Sequence, residues 1–155
     1  MIVRKGRART KMPDEPNLGF VETANFSDSS GIKQYGAYLQ TLLPGARSST
    51  RHWHEKEDEF LYVVSGKATV IENDGAHVLE PGDAACWPGG IPNAHHVLNE
   101  SSEPCSYIVI GTRLTHDVCH YPDTGNTLYT EGESWRVEDA QGNVLRSGPV
   151  DQRHT

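Results

Sequence analysis

The stretch Gly45-Ala-Arg-Ser-Ser-Thr-Arg-His52-Trp-His54-Glu-Lys-Glu-Asp-Glu59-Phe-Leu-Tyr-Val-Val-Ser-Gly66 decides the fold. His52 and His54 are two apart, and on a β-strand residues i and i+2 share a face about 6.6 Å apart. Both imidazoles can therefore aim at one point. Glu59 is an odd number of positions from His54, so on one unbroken strand it would face the other way. The polar run Glu55 to Asp58 suits a turn better than a strand. After such a turn, Glu59 opens the apolar strand Phe60 to Val64 and can face the histidine pair. Neutral imidazoles and a carboxylate oxygen converging in this way are what a divalent metal needs.

A second glycine-framed stretch follows: Gly82-Asp-Ala-Ala-Cys-Trp-Pro88-Gly-Gly90-Ile-Pro-Asn-Ala-His95-His96-Val-Leu-Asn99. Together the two stretches resemble the paired signature motifs of the cupin superfamily. The first motif reads Gly, His-x-His, Glu, Gly, and is met by Gly45, His52, His54, Glu59 and Gly66. The second reads Gly, Pro-x-Gly, His, Asn, and is met in order by Gly82, Pro88, Gly90, His95 and Asn99. Four residues separate Gly90 from His95 where that family's pattern has two. His95 keeps the three-residue spacing to Asn99 and is the expected fourth ligand, with His96 in reserve. The resemblance covers about residues 36 to 112. It implies a metal site of His52, His54, Glu59 and His95 inside a double-stranded β-helix, or jelly roll.

The chain around the motifs reads as all-β without reference to any family. Tyr35 to Leu43 alternates and ends at Pro44-Gly45. Lys67 to Glu72 is a strand with Ala68, Val70 and Glu72 on one face, and Asn73-Asp74-Gly75 is a hairpin signal back into Ala76 to Glu80. Ala84 to Trp87, His95 to Asn99 and Cys105 to Gly111 follow as short strands between turns. Strands of this length, without helical periodicity, define a sandwich or barrel. Three divisions result: an N-terminal arm (residues 1–34), a barrel core (35–112) and a C-terminal extension (113–155) that is polar and irregular. Within the extension, Trp135 to Val137 and Val144 to Arg146 flank Gln141-Gly142-Asn143 as a terminal hairpin.

At 155 residues the chain is one domain by length. It has no apolar run long enough to span a membrane and no signal segment, and its three scattered cysteines fit a reducing cytoplasm. Cys86 and Cys105 read as small buried apolar residues. Arg4, Lys5, Arg7, Arg9 and Lys11 make the start of the chain basic and leave nine bases against 21 acids in the rest, so the body repels nucleic acid. The basic arm reads as solvated or packed in a dimer.

Three imidazoles and one carboxylate leave two positions of an octahedron open for water or a small polar ligand. Such a set suits Fe²⁺, Mn²⁺, Ni²⁺, Co²⁺ or Zn²⁺. His116 and His120, with Cys119 between, form a weaker second cluster. Arg51, Tyr38, Tyr62 and Trp87 are candidates to shape a pocket, whereas parity turns Trp53 away from the histidines. Arg113 is placed to meet an anionic ligand or an ordinary surface partner. The resemblance implies a metal-dependent enzyme acting on a sugar, sugar phosphate or organic acid, of isomerase or dioxygenase type, assembled as a homodimer. A non-catalytic small-molecule-binding or sensing module is the alternative, and a barrel with an empty site the third reading.

Overall fold

The computed structural model describes residues 2–11 and 18–150. Pro13 and Pro16, read above as turn signals in the arm, lie outside the described residues. In chain order the elements are β1 (Arg9–Lys11), β2 (Val21–Asn25), α1 (Phe26–Ser30), β3 (Tyr35–Leu42), β4 (Trp53–His54), β5 (Glu59–Ser65), β6 (Ala68–Glu72) and β7 (Gly75–Leu79). They continue as β8 (Ala84–Trp87), β9 (His96–Leu98), β10 (Cys105–Thr112), β11 (His116–Tyr121), β12 (Asn126–Glu131), β13 (Ser134–Glu138) and β14 (Val144–Pro149). Three sheets result, with orders β1-β2-β3-β10-β5-β8, β14-β13-β12-β11-β4 and β7-β6-β9.

Alternation along the central strands sets the inside. On β5, Leu61 and Val63 are buried while Phe60, Tyr62 and Val64 face outward. On β10, Cys105, Tyr107 and Val109 point inward beside them. Each buried Leu or Val of this kind contributes about 1.5–3 kcal/mol of transfer free energy. Glu59 continues the inward face of β5, so the carboxylate sits at the polar end of an apolar row. The Asn73-Asp74 turn joins β6 to β7 with Glu72 opposite Gly75, as the hairpin signal predicts.

Gly66 closes the first motif for a steric reason. Its φ is +74°, and a Cβ there would lie 2.4 Å from the Pro104 carbonyl oxygen. Gly89 serves the second motif in the same way: a Cβ would meet the Lys56 backbone at 2.5 Å, so only glycine lets this loop lie on the chain just after His54. Asn99 is wholly buried and structural, its amide donating to the carbonyls of Leu42 and Glu103.

Three expectations need correction. The segment after Thr112, read as irregular, forms β11 to β14, and β11 pairs with β4 to bring this sheet against the first motif. Its terminal hairpin is present, with Val137 opposite Arg146. The segment read as an N-terminal arm supplies β2, a full partner of β3 with Val21 opposite Leu42, and Val21 is completely buried. Cys86 is exposed rather than buried, because it lies opposite Phe60 on the outward face, whereas Cys105 is in the core.

Candidate metal centre

The two motifs meet at their histidines. His52 and His95 form an isolated antiparallel bridge, His52 N–H donating to the His95 carbonyl at 3.1 Å and His95 N–H to the His52 carbonyl at 2.8 Å. A residue pair opposed in this way carries both side chains to the same side. The two additional residues of the second motif are absorbed in the loop before His95. There Asn73 holds the loop, its amide donating to the Pro92 carbonyl and its backbone N–H to the Asn93 side chain.

His52, Glu59 and His95 each offer a ligand atom within 4.8 Å of the others. His95 Nε2 is 2.8 Å and His52 Nε2 is 3.7 Å from Glu59 Oε2. His54 lies beside His52, with ring centroids 5.3 Å apart and planes nearly perpendicular, and joins it in a second group with Cys119. His96 is in neither group; its Nδ1 donates to the Ser49 carbonyl.

The outer nitrogen of each imidazole is tied to a fixed acceptor. His52 Nδ1 donates to the Thr50 carbonyl at 2.9 Å, His95 Nδ1 to the Asn93 carbonyl at 3.1 Å, and His54 Nδ1 meets Asp117 Oδ2 at 2.6 Å. A carbonyl can only accept, so Nδ1 carries the proton and Nε2 is left as the ligand atom. Asp117 is itself buried and held by the Lys56 N–H at 2.9 Å. Trp87 stacks on His95 at 3.8 Å with planes 7° apart, while its indole N–H donates to Glu72.

This donor set fits a divalent cation. Neighbouring corners of an octahedron with bonds of about 2.1 Å are about 3 Å apart, close to the separations seen between Glu59 and the two imidazoles. The charge balance points the same way. Burial would push the His52 imidazole down, but Cys119 and Glu59 outweigh it and hold it up at about 9. Burial would likewise lower His54, yet its contacts with Asp117 and Cys119 keep it well above its ordinary value. For Glu59, burial is outweighed by the hydrogen bonds from His52 and His95, which hold the carboxyl well below the usual range. The pocket therefore attracts positive charge, which a metal can supply in place of protons.

The sequence missed Asp117 and Cys119. It set Cys119 between His116 and His120 as a second cluster, but strand parity separates them. Asp117, Cys119 and Tyr121 face the cavity, whereas His120 stacks on Trp53 at 4.4 Å and pairs with Glu55 outside. Parity along β11 was the available signal once a strand there was known.

The cavity holds about 170 Å³ and is lined on its polar side by Tyr38, Gln40, Glu57 and Tyr121. Tyr107 donates its hydroxyl to Gln40 at 2.5 Å, and burial pushes both Tyr38 and Tyr107 well above the ordinary phenol value. Arg113 stands between this cavity and a wide outer groove, paired with Asp28 at 2.8 Å. Arg51 instead turns outward to Asp123 and Asn73.

A double-stranded β-helix whose interior gathers three histidines and a glutamate from two glycine-framed motifs defines a class of small β-barrel proteins. The chain belongs to the cupin superfamily. The model of the cupin domain matches residues 38–111. The chain is similar to a solved structure described as a sugar phosphate isomerase of that superfamily from Silicibacter pomeroyi, at 27% identity and TM-score 0.78, covering 100% of this chain and 96% of the other. It is similar also to a proposed sugar phosphate isomerase from Acidithiobacillus ferrooxidans, at 30% identity and TM-score 0.78, covering 92% and 91%. Oxalate decarboxylase from Bacillus subtilis is 34% identical over 102 residues, 63% of this chain but 26% of its own length. The chain thus spans about a quarter of that relative. Among the described residues no helix is long and apolar enough to cross a membrane.

Proposed function

We propose that this chain is a metal-dependent isomerase of a small polyhydroxylated, anionic metabolite, a sugar phosphate in type, with the cation held by His52, His54, Glu59 and His95. The observation that carries the metal reading is the fixing of each imidazole through its outer nitrogen. A barrel that used these histidines only for packing would have no need to turn the Nε2 atoms of His52 and His95 onto one carboxylate with a third fixed imidazole beside them. Two solved relatives that match nearly the whole chain, one described as a sugar phosphate isomerase and the other as a proposed one, support the substrate class.

A bound divalent cation would supply Lewis acidity to a substrate carbonyl or hydroxyl. The residues around it do the rest. Tyr38, Gln40 and Tyr121 offer hydroxyl and amide groups to a polyol. Glu57 reaches the cavity with one oxygen fixed by the Leu114 N–H at 2.7 Å, and is the carboxylate placed to move a proton between neighbouring carbons. Arg113 at the mouth meets the anionic end.

Turnover of a panel of phosphorylated aldoses and ketoses by protein loaded with Mn²⁺, Fe²⁺, Ni²⁺ or Zn²⁺ tests this. Interconversion of one pair, abolished by Glu57→Gln while metal stays bound, is the expected result. Specific binding without turnover would favour a sensing module, and oxygen consumption with an organic acid a dioxygenase.

We also read the outward face of β5 and β10 as a contact between two copies of the chain. Phe60, Tyr62, Val64 and Ile110 are each about two-fifths exposed on adjoining strands. An apolar patch of this kind on the outward face of a sheet fits a homodimer. A monomeric mass by light scattering at micromolar concentration would exclude it.

A further inference from the structure

Three cysteines have three different surroundings. Cys86 is exposed. Cys105 belongs to the apolar core with Leu42 and Tyr107. Cys119 is as well buried, at 2% exposure, yet it is not part of that core. It lies between Leu128 of β12 and His54 of β4 in the sheet, and faces the cavity beside Asp117 and Tyr121. A thiol buried for packing alone would be expected among alkyl groups.

The sulfur lies within 4.8 Å of ligand nitrogens of both His52 and His54. His54 is turned by Asp117 at its Nδ1 and His52 by the Thr50 carbonyl, so each directs its Nε2 away from those acceptors. His52 is thereby the shared corner of two triads. With Glu59 and His95 it makes a set of two nitrogens and an oxygen, and with His54 and Cys119 a set of two nitrogens and a sulfur.

We propose that Cys119 is a metal ligand, so that this cavity offers a sulfur-containing set that favours borderline and soft cations such as Zn²⁺ over Mn²⁺ or Fe²⁺. The proposal rests on the reading that the cavity holds a metal. A thiolate donor selects for such ions, whereas carboxylate and imidazole alone do not. On binding, the Cys119 thiol loses its proton to solvent and the sulfur lone pair forms the bond; no electron is transferred. A cation there would be held by the Cys119 sulfur and an imidazole nitrogen from each of His52 and His54, a nitrogen and sulfur set of the kind zinc takes.

Cobalt substitution tests it. The full chain is stripped with chelator, loaded with Co²⁺ alone, and its near-ultraviolet absorption and cobalt content are measured. A thiolate-to-cobalt charge-transfer band in wild type, kept in Cys86→Ser and lost in Cys119→Ser and Cys119→Ala, is expected. Stoichiometric cobalt in wild type without that band overturns the proposal and leaves the ligand set of His52, His54, Glu59 and His95 standing. Wild type that binds no cobalt overturns both. Should neither Cys119 variant fold, the wild-type and Cys86→Ser spectra decide between these results.

Discussion

Two clusters in this molecule contain the same kinds of residue and differ in everything else. The inner one joins His52, Glu59 and His95, with His54 beside His52; the outer one joins Glu72, Asp74 and His77 at the β6–β7 turn. In the outer cluster His77 is 2.9 Å from Asp74 and 3.8 Å from Glu72, with side-chain exposures of 46% for His77 and 73% for Asp74. In the inner cluster the histidines are buried or nearly so, and each is held at its outer nitrogen: His54 by Asp117 of β11, His52 and His95 by the carbonyl two residues before them. Proximity of ligand types is common to both. What separates them is preorganisation: the inner groups cannot turn away to water, so the cost of gathering them is met by the fold.

The comparison breaks most decisively through Glu59. Glu59→Ala removes the oxygen that His52 and His95 share, and bound metal should fall to background; His95→Ala should do the same. Metal analysis checks this, and a variant that keeps one ion per chain would mean that the inner cluster is no more a site than the outer one.

Asp117→Asn sharpens the comparison. It keeps the volume and an acceptor for the Lys56 N–H but removes the charge behind His54. Metal affinity should fall about 10–100-fold with the fold intact, as measured by competition with a chromophoric chelator. An unchanged affinity would reduce Asp117 to a packing residue.

Acidity gives a smaller, graded effect. His52 is held up at about 9, so at neutral pH the metal-free cavity carries a proton that a cation must displace. Apparent metal affinity should therefore rise with pH by about tenfold per unit for each displaced proton, and the share owed to His52 should level off above about 9. The metal-free fold runs the other way. The stability that His52 contributes is complete below its ordinary value of 6.5 and is lost as pH rises through about 9. That of Glu59 is present above its ordinary value of 4.5 and is lost as pH falls through its lowered one. Urea melts of chelated protein across this range check the second trend, and metal titrations the first; a flat affinity between neutral pH and about 9 contradicts it.

The smallest effect belongs to the outer cluster. His77→Ala should leave both metal content and stability unchanged, the usual result for an exposed site. Loss of metal in that variant would reverse the ranking of the two clusters.

Much of the barrel was legible in the sequence because short apolar strands such as β5 and β10 are separated by turn signals, and because glycines mark the positions where backbone approaches backbone, as at Gly66 and Gly89. Strand β11 was not legible for the opposite reason. Its inward residues Asp117, Cys119 and Tyr121 line a polar cavity and its outward residues His116 and His120 are polar too, so the period of two that marks a half-buried strand is erased. Cys86 misled because apolar neighbours on a short strand say nothing of which face is inward; only its pairing with Phe60 does. The segment that the sequence pattern lost is thus the one that supplies the residue behind His54.

The most direct measurement is elemental analysis of the protein purified without chelator, beside the His52→Ala/His54→Ala double variant. One divalent ion per wild-type chain and none in the variant is the result expected if three fixed imidazoles and one carboxylate form a single cation site. A wild-type chain that takes up no ion when offered an excess, or a double variant that still carries one per chain, would contradict it.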